Sequence, residues 1–183
     1  MTTKPLKKGA TYDDLRDVPD NFVAEMFDGE LYASPRPAAS HAHAASVLGV
    51  KLGGPFHRTG PGGWVILDEP ELHFGNDVVV PDLAGWRRTR MPRVPAHAYF
   101  TLAPVWICEV LSTSTEALDR GKKLRIYARE GVAHAWLIDP LAHTLEVMGL
   151  EGRWTSLARY EGDVGIRAAP FDAVELELGA LWI

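Results

Sequence analysis

A single cysteine, Cys108, rules out an internal disulfide in this chain of 183 residues. Its setting after Val105-Trp106-Ile107 makes it a small buried hydrophobe rather than a reactive thiol. No apolar run approaches the roughly 20 residues that a membrane span needs. Met1 to Ala10 is basic but lacks the apolar stretch of a signal peptide, so a cytoplasmic protein with no membrane partner is expected. A phosphate-binding loop is missing too. Gly60-Pro61-Gly62-Gly63 has no following Lys and Ser or Thr, which leaves nucleoside triphosphate hydrolysis unsupported. Positive charge is scarce: a net charge of −5 argues against coating nucleic acid by bulk attraction, so any polyanion site must be a local patch.

What is present fits one packed domain. The composition, 46% hydrophobic and 23% charged, is that of an ordinary globular core, and the length suits a single domain. Residues 1–11 read as a flexible N-terminal arm, polar and holding Pro and Gly, and residues 12–183 as the domain. Tyr12 to Arg16 predicts a short helix. Phe22 to Phe27 and Leu31 to Ser34 flank Asp28-Gly29, a dipeptide that favours a tight hairpin turn. Ser40 is the expected cap of a helix in which His41, Ala45, Leu48 and Leu52 share a face, ending at Gly53-Gly54-Pro55, with a loop from Phe56 to Gly63. Short strands are expected at Trp64 to Leu67, Glu71 to Phe74 and Asp77 to Val80, the last ended by Pro81. After a near-continuous apolar run, Val105 to Leu111, a helix is expected from Glu116 to Glu130, stopped by Gly131. Ala135 to Asp139, Thr144 to Leu150, the neighbourhoods of Trp154 and Ile166, and Val174 to Leu178 complete the strands.

Two carboxylates stand out. Asp82 ends the apolar strand Val78-Val79-Val80-Pro81, where α/β sheets place functional groups, although a turn or helix-cap aspartate would read the same way. Glu109 is harder to dismiss. It interrupts a strand that reads as buried on both faces, and an ionised carboxylate there costs several kcal/mol unless a cation or hydrogen bonds compensate it. Carboxylates on adjacent strands suit hard, oxygen-preferring Mg²⁺ or Mn²⁺. His41 and His43 have neither the spacing nor the accompanying cysteines of a zinc cage, and His41 is the more notable as a polar residue facing inward. Asp119, Lys123 and Tyr127 recur every four residues and line one helix face, which could look back at the metal; on spacing alone Lys123 is as well read as a solvated side chain. Arg87, Arg88 and Arg90, with Arg93, follow Asp82 closely and could bind phosphates, or could simply be solvated.

Taken in order, Asp28-Gly29-Glu30-Leu31, His41, Pro81-Asp82-Leu83, Glu109-Val110-Leu111-Ser112, Ser114-Thr115, Asp119-Arg120, Lys123, Tyr127, Gly131-Val132 and Trp136-Leu137-Ile138-Asp139-Pro140 resemble the Uma-type restriction endonuclease family, from about Tyr12 to the C-terminus. That family lies in the PD-(D/E)XK nuclease superfamily, so the resemblance implies an α/β, restriction-endonuclease-like core: a central mixed β-sheet flanked by helices. It implies Asp82 and Glu109 as ligands to Mg²⁺ or Mn²⁺, with Glu30, His41 and Tyr127 accessory. Leu111 stands where the superfamily's strand lysine usually is, and the resemblance moves that amine to Lys123 on the following helix. The expected activity is divalent-metal-dependent hydrolysis of phosphodiester bonds in nucleic acid, DNA above all. The alternative is a catalytically silent binding or assembly module on the same fold. Enzymes that cut both strands often pair two sites, so a homodimer is expected.

Overall fold

The computed structural model describes residues 4–58 and 63–183. Most of the Gly60-Pro61-Gly62-Gly63 run, and with it part of the loop expected from Phe56 to Gly63, therefore lies outside the described residues. The N-terminal segment runs through β1 (Lys7–Lys8) and α1 (Tyr12–Arg16) into the hairpin β2 (Phe22–Phe27) and β3 (Glu30–Pro35). Asp28 and Gly29 have φ of 54° and 72°, the left-handed pair that a two-residue hairpin turn requires. The long helix α2 (Ala39–Gly53) follows. Then come β4 (Trp64–Asp68), β5 (Glu71–Phe74), β6 (Asp77–Val79), β7 (Leu83–Arg87), β8 (Tyr99–Phe100) and β9 (Trp106–Val110). Two short helices, α3 (Glu116–Leu118) and α4 (Leu124–Arg129), lead to β10 (His134–Asp139), β11 (Thr144–Leu150) and β12 (Trp154–Glu161). A small ribbon of β13 (Gly165–Ile166) and β14 (Leu176–Glu177) closes the chain.

The architecture is mixed α/β with two six-stranded mixed sheets. One has the order β1-β3-β2-β6-β5-β8 and the other β12-β11-β10-β9-β7-β4. In the second sheet β9 and β10 run parallel, and the remaining pairs are antiparallel. Its two faces bury different partners. On one side Trp106, Cys108 and Val110 meet Ala44, Leu48 and Leu52 of α2, with Phe171 packed 4.7 Å and 4.9 Å from the rings of Trp64 and Trp106. On the other, Ile107 and Leu137 meet Leu124 and Tyr127 of α4 and Phe27, Leu72 and Val79 of the first sheet. Gly85 makes room for the indoles of the two strands that flank it, since a Cβ there would sit 3.2 Å from ring carbons of Trp64 and Trp106. Among the described residues no helix is long and apolar enough to cross a membrane.

Several local expectations are corrected. Residues 6–10, expected in a flexible arm, are tied to β3 and its turn: Lys7 and Lys8 pair with Leu31 and Glu30, and the Ala10 amide donates to the Gly29 carbonyl. Ser40 lies inside α2, whose cap is Ala38 with no side-chain bond. Phe56 belongs to a π-helical turn, Gly54–Arg58, that extends α2. Leu83–Arg87 forms a strand, β7, for which Ala84 and Gly85 give little β signal. The helix expected from Glu116 to Glu130 is interrupted by a π-helical turn at Asp119–Lys123.

Candidate active site: an acidic cavity where the chain crosses between sheets

Strand alternation decides what Glu109 faces. Trp106, Cys108 and Val110 point to α2, so Ile107 and Glu109 point to the α3–α4 segment, and Glu109 is only 2% exposed. Two donors meet it. Lys123 Nζ donates to Oε2 at 2.9 Å and the Tyr127 hydroxyl donates to Oε1 at 2.6 Å. Burial pushes the Glu109 carboxyl well up, and Lys123 opposes the shift. Both oxygens nevertheless act as acceptors, the bonding pattern of the ionised form. Burial alone would drop the Lys123 amine, but Glu109 and Glu25 raise it well above the usual lysine range and keep it charged.

Lys123 is the hub of this arrangement. Its amine donates to Glu109 at 2.9 Å and to the Val80 carbonyl at 2.9 Å, and forms ion pairs with Glu25 Oε1 at 3.1 Å and Asp119 Oδ1 at 3.6 Å. The helical spacing of Asp119, Lys123 and Tyr127 thus turns all three inward, and all are buried. Asp119 and Lys123 bound the π-helical turn, a local widening frequently found at functional sites. Burial is the main reason the Asp119 carboxyl is pushed up to about 6, against the pull of Lys123.

Asp82 reaches the same place from another direction. Val80, Pro81 and Asp82 carry the chain from β6 in the first sheet to β7 in the second. The antiparallel register of β7 and β9 ends at Leu83↔Cys108, which leaves Asp82 beside the end of β9, next to Val110. The Val110 amide donates to Asp82 Oδ2 at 2.6 Å, and the Glu69 amide donates to the Asp82 carbonyl at 3.1 Å. His41, in the first turn of α2, brings Nε2 to 3.4 Å from Asp82 Oδ1. Burial would lower the His41 pKa, but Asp82 outweighs it and the net shift is upward.

These groups share a cavity of about 290 Å³. Glu25, Asp82, Glu109, Asp119, Lys123 and His41 line it, with Arg36 on one wall and Ser112 to Thr115 on another. Tyr127 stands behind Glu109 and outside the lining. The structure therefore brings Asp82, Glu109, Lys123, His41 and Tyr127 together, and adds Glu25 and Asp119. Glu30 is not among them: it faces outward, accepting from Tyr32 at 2.7 Å and Lys122 at 3.0 Å. Nor do Arg87, Arg88 and Arg90 line the cavity. Arg87 ends β7, its guanidinium 4.0 Å over the Trp64 ring, and Arg88 donates to the His57 carbonyl.

Apart from His41, the metal-ligating groups facing the cavity are hard oxygens. Among the described residues no group of three or more His, Cys, Asp or Glu side chains forms a ready metal cage. Asp82 and Glu109 supply two carboxylates, and each oxygen that accepts one hydrogen bond keeps a second lone pair. This set matches the habit of Mg²⁺, which takes one or two carboxylates and fills its shell with water and phosphate.

Residues 10–179 match the Uma2 family, described as putative restriction endonuclease. The chain belongs to this family. Uncharacterized protein slr1290 of Synechocystis sp. is 32% identical over 118 residues, which span 62% of this chain and 58% of that relative. The crystal structure of a putative nuclease belonging to DUF820 from Anabaena variabilis superposes with a TM-score of 0.76 at 22% identity, covering 94% of this chain and 97% of that one. The Uma2 chain thus has the fold of that structure.

Proposed function

We propose that this Uma2 protein hydrolyses phosphodiester bonds of nucleic acid, DNA in the first place, with Mg²⁺ or Mn²⁺ as cofactor. The observation that carries the reading is the pair of carboxylates, Asp82 and Glu109, that line one cavity at the end of β9. Both would hold the cation. When bound, a divalent ion polarises the phosphate and lowers the pKa of an attacking water. The chain's own residues prepare that place. Lys123 and Tyr127 donate to Glu109 in a buried strand, and the Val110 amide and His41 orient Asp82. Lys123, hydrogen-bonded to Glu109 and Val80 and ion-paired with Glu25, acts chiefly through those groups.

Purified protein with Mg²⁺ or Mn²⁺ is expected to cut plasmid or oligonucleotide DNA, and Asp82→Ala and Glu109→Ala to abolish cutting. Equal cutting by those variants would defeat the reading. One observation favours a silent binding module instead: five carboxylates line the cavity against Arg36, Lys123 and His41. That reading predicts DNA binding without turnover and no Mn²⁺ uptake in calorimetry. Sedimentation with and without DNA tests the homodimer that cutting of both strands would use.

A further inference from the structure

Val80 opens the crossover that delivers Asp82 two residues later, and buried charged side chains hold both polar groups of its backbone. Its N–H donates to Glu25 Oε1 at 2.8 Å, and its carbonyl accepts from Lys123 Nζ at 2.9 Å. The same Glu25 oxygen lies 3.1 Å from Lys123 Nζ, so acid, amine and backbone close a ring. Neither bond belongs to a sheet ladder, because β6 stops at Val79. A peptide N–H beside a cavity can be satisfied by water or by a neutral side chain, whereas burying a carboxylate costs free energy. Glu25 is only 7% exposed, and it comes from β2, the strand that pairs with β6. It therefore anchors the crossover to the first sheet, while Asp82 accepts from Val110 in the second.

We propose that Glu25 is a positioning residue: by holding Val80 it fixes the Asp82 carboxylate in the cavity it shares with Glu109, where the two would hold a divalent cation. The inference rests on the metal-dependent reading above. Its core is the reach of the Glu25 acceptor to Val80, rather than its charge. Residues that orient metal ligands without touching the metal typically change affinity about 10–100-fold when altered.

Two variants separate reach from charge. Glu25→Gln keeps an acceptor at the same distance and removes the charge, and Glu25→Asp keeps the charge and draws the acceptor back by one methylene. Each folded variant is read twice, by calorimetric titration with Mn²⁺ and by hydrogen exchange of the Val80 amide without metal. Glu25→Asp is expected to weaken Mn²⁺ binding about 10-fold or more and to speed Val80 exchange, with Glu25→Gln close to wild type in both. Loss in Glu25→Gln with retention in Glu25→Asp overturns the proposal and makes the charge itself what the cation senses. Wild-type behaviour of both variants, or equal loss in both, also overturns it. Should the wild-type protein bind no Mn²⁺, the metal reading falls, and unchanged Val80 exchange in Glu25→Asp would overturn the positioning role separately.

Discussion

Lys122 and Lys123 are neighbours in the chain and opposites in the fold. Lys123 has a side chain 4% exposed and meets Glu109, Glu25 and Asp119 inside; Lys122, at 28%, meets Glu30 at 3.0 Å and Asp28 at 3.9 Å outside. The hairpin divides in the same way, with Glu25 of β2 on the inner seam and Glu30 of β3 on the outer. The outer seam continues through Lys8 on Glu30 and Arg125 on Asp28. Water screens those pairs and can replace either partner, so they contribute little. The inner seam has no such replacement, because removing one ion leaves others buried and uncompensated. The same residue types therefore tie the helix to the hairpin on one side and assemble a candidate site on the other.

The contrast breaks most sharply at the two lysines. Lys123→Met is expected to lower unfolding stability by about 3–5 kcal/mol in urea titrations, and Lys122→Met to shift the midpoint far less. Comparable shifts would mean that the inner seam is no more than a second surface network. Next in size is Tyr127→Phe, which removes one of the two donors to Glu109 and is expected to cost about 1.5–3 kcal/mol by the same measurement. A value near zero would show that Lys123 alone compensates the carboxylate.

The smallest effect is a pH slope. The Asp119 carboxyl rises from 3.8 in the unfolded chain to about 6 in the fold, so the native state binds the extra proton between those values. Its contribution to stability is fully present below about pH 4 and is lost as pH rises through about 6. Unfolding midpoints followed across this window should fall with pH in the wild type and fall less in Asp119→Asn. Identical slopes would show that the carboxylates around Lys123 titrate as a set that does not depend on Asp119.

Part of the inner seam is legible in the amino-acid sequence. Glu109 announces itself because a charge inside Val105 to Leu111 has no solvent on either face, and the four-residue spacing of Asp119, Lys123 and Tyr127 survives the π-helical turn well enough to keep the three on one side. Glu25 gives no such signal. In Phe22-Val23-Ala24-Glu25-Met26-Phe27 a lone glutamate reads as the solvent side of a half-buried strand, and only the packing of two sheets closes over it. Glu30 misleads for a local reason: it follows the Asp28-Gly29 turn, and the register that pairs it with Phe27 places its side chain on the outer seam. The arginines mislead by nearness in sequence. Arg87 lies five residue steps along the strand from Asp82, about 16 Å at roughly 3.3 Å per residue, so β7 carries the arginines away from the carboxylate it follows.

The π-helical turn at Asp119–Lys123 sets where this segment tolerates a change of length. Such a turn holds one residue more than an α-helical turn needs, so a deletion there could close into regular helix without breaking it. The residues beyond such a deletion would keep their facing, and Tyr127 would stay on Glu109, because the turn gives up only its extra residue. A deletion within the regular helix Leu124–Arg129 would instead rotate everything after it by about 100° and turn an outward-facing neighbour inward. A one-residue gap in a relative is therefore a change of site in the regular helix and a neutral event in the π-helical turn, even where every named side chain is retained.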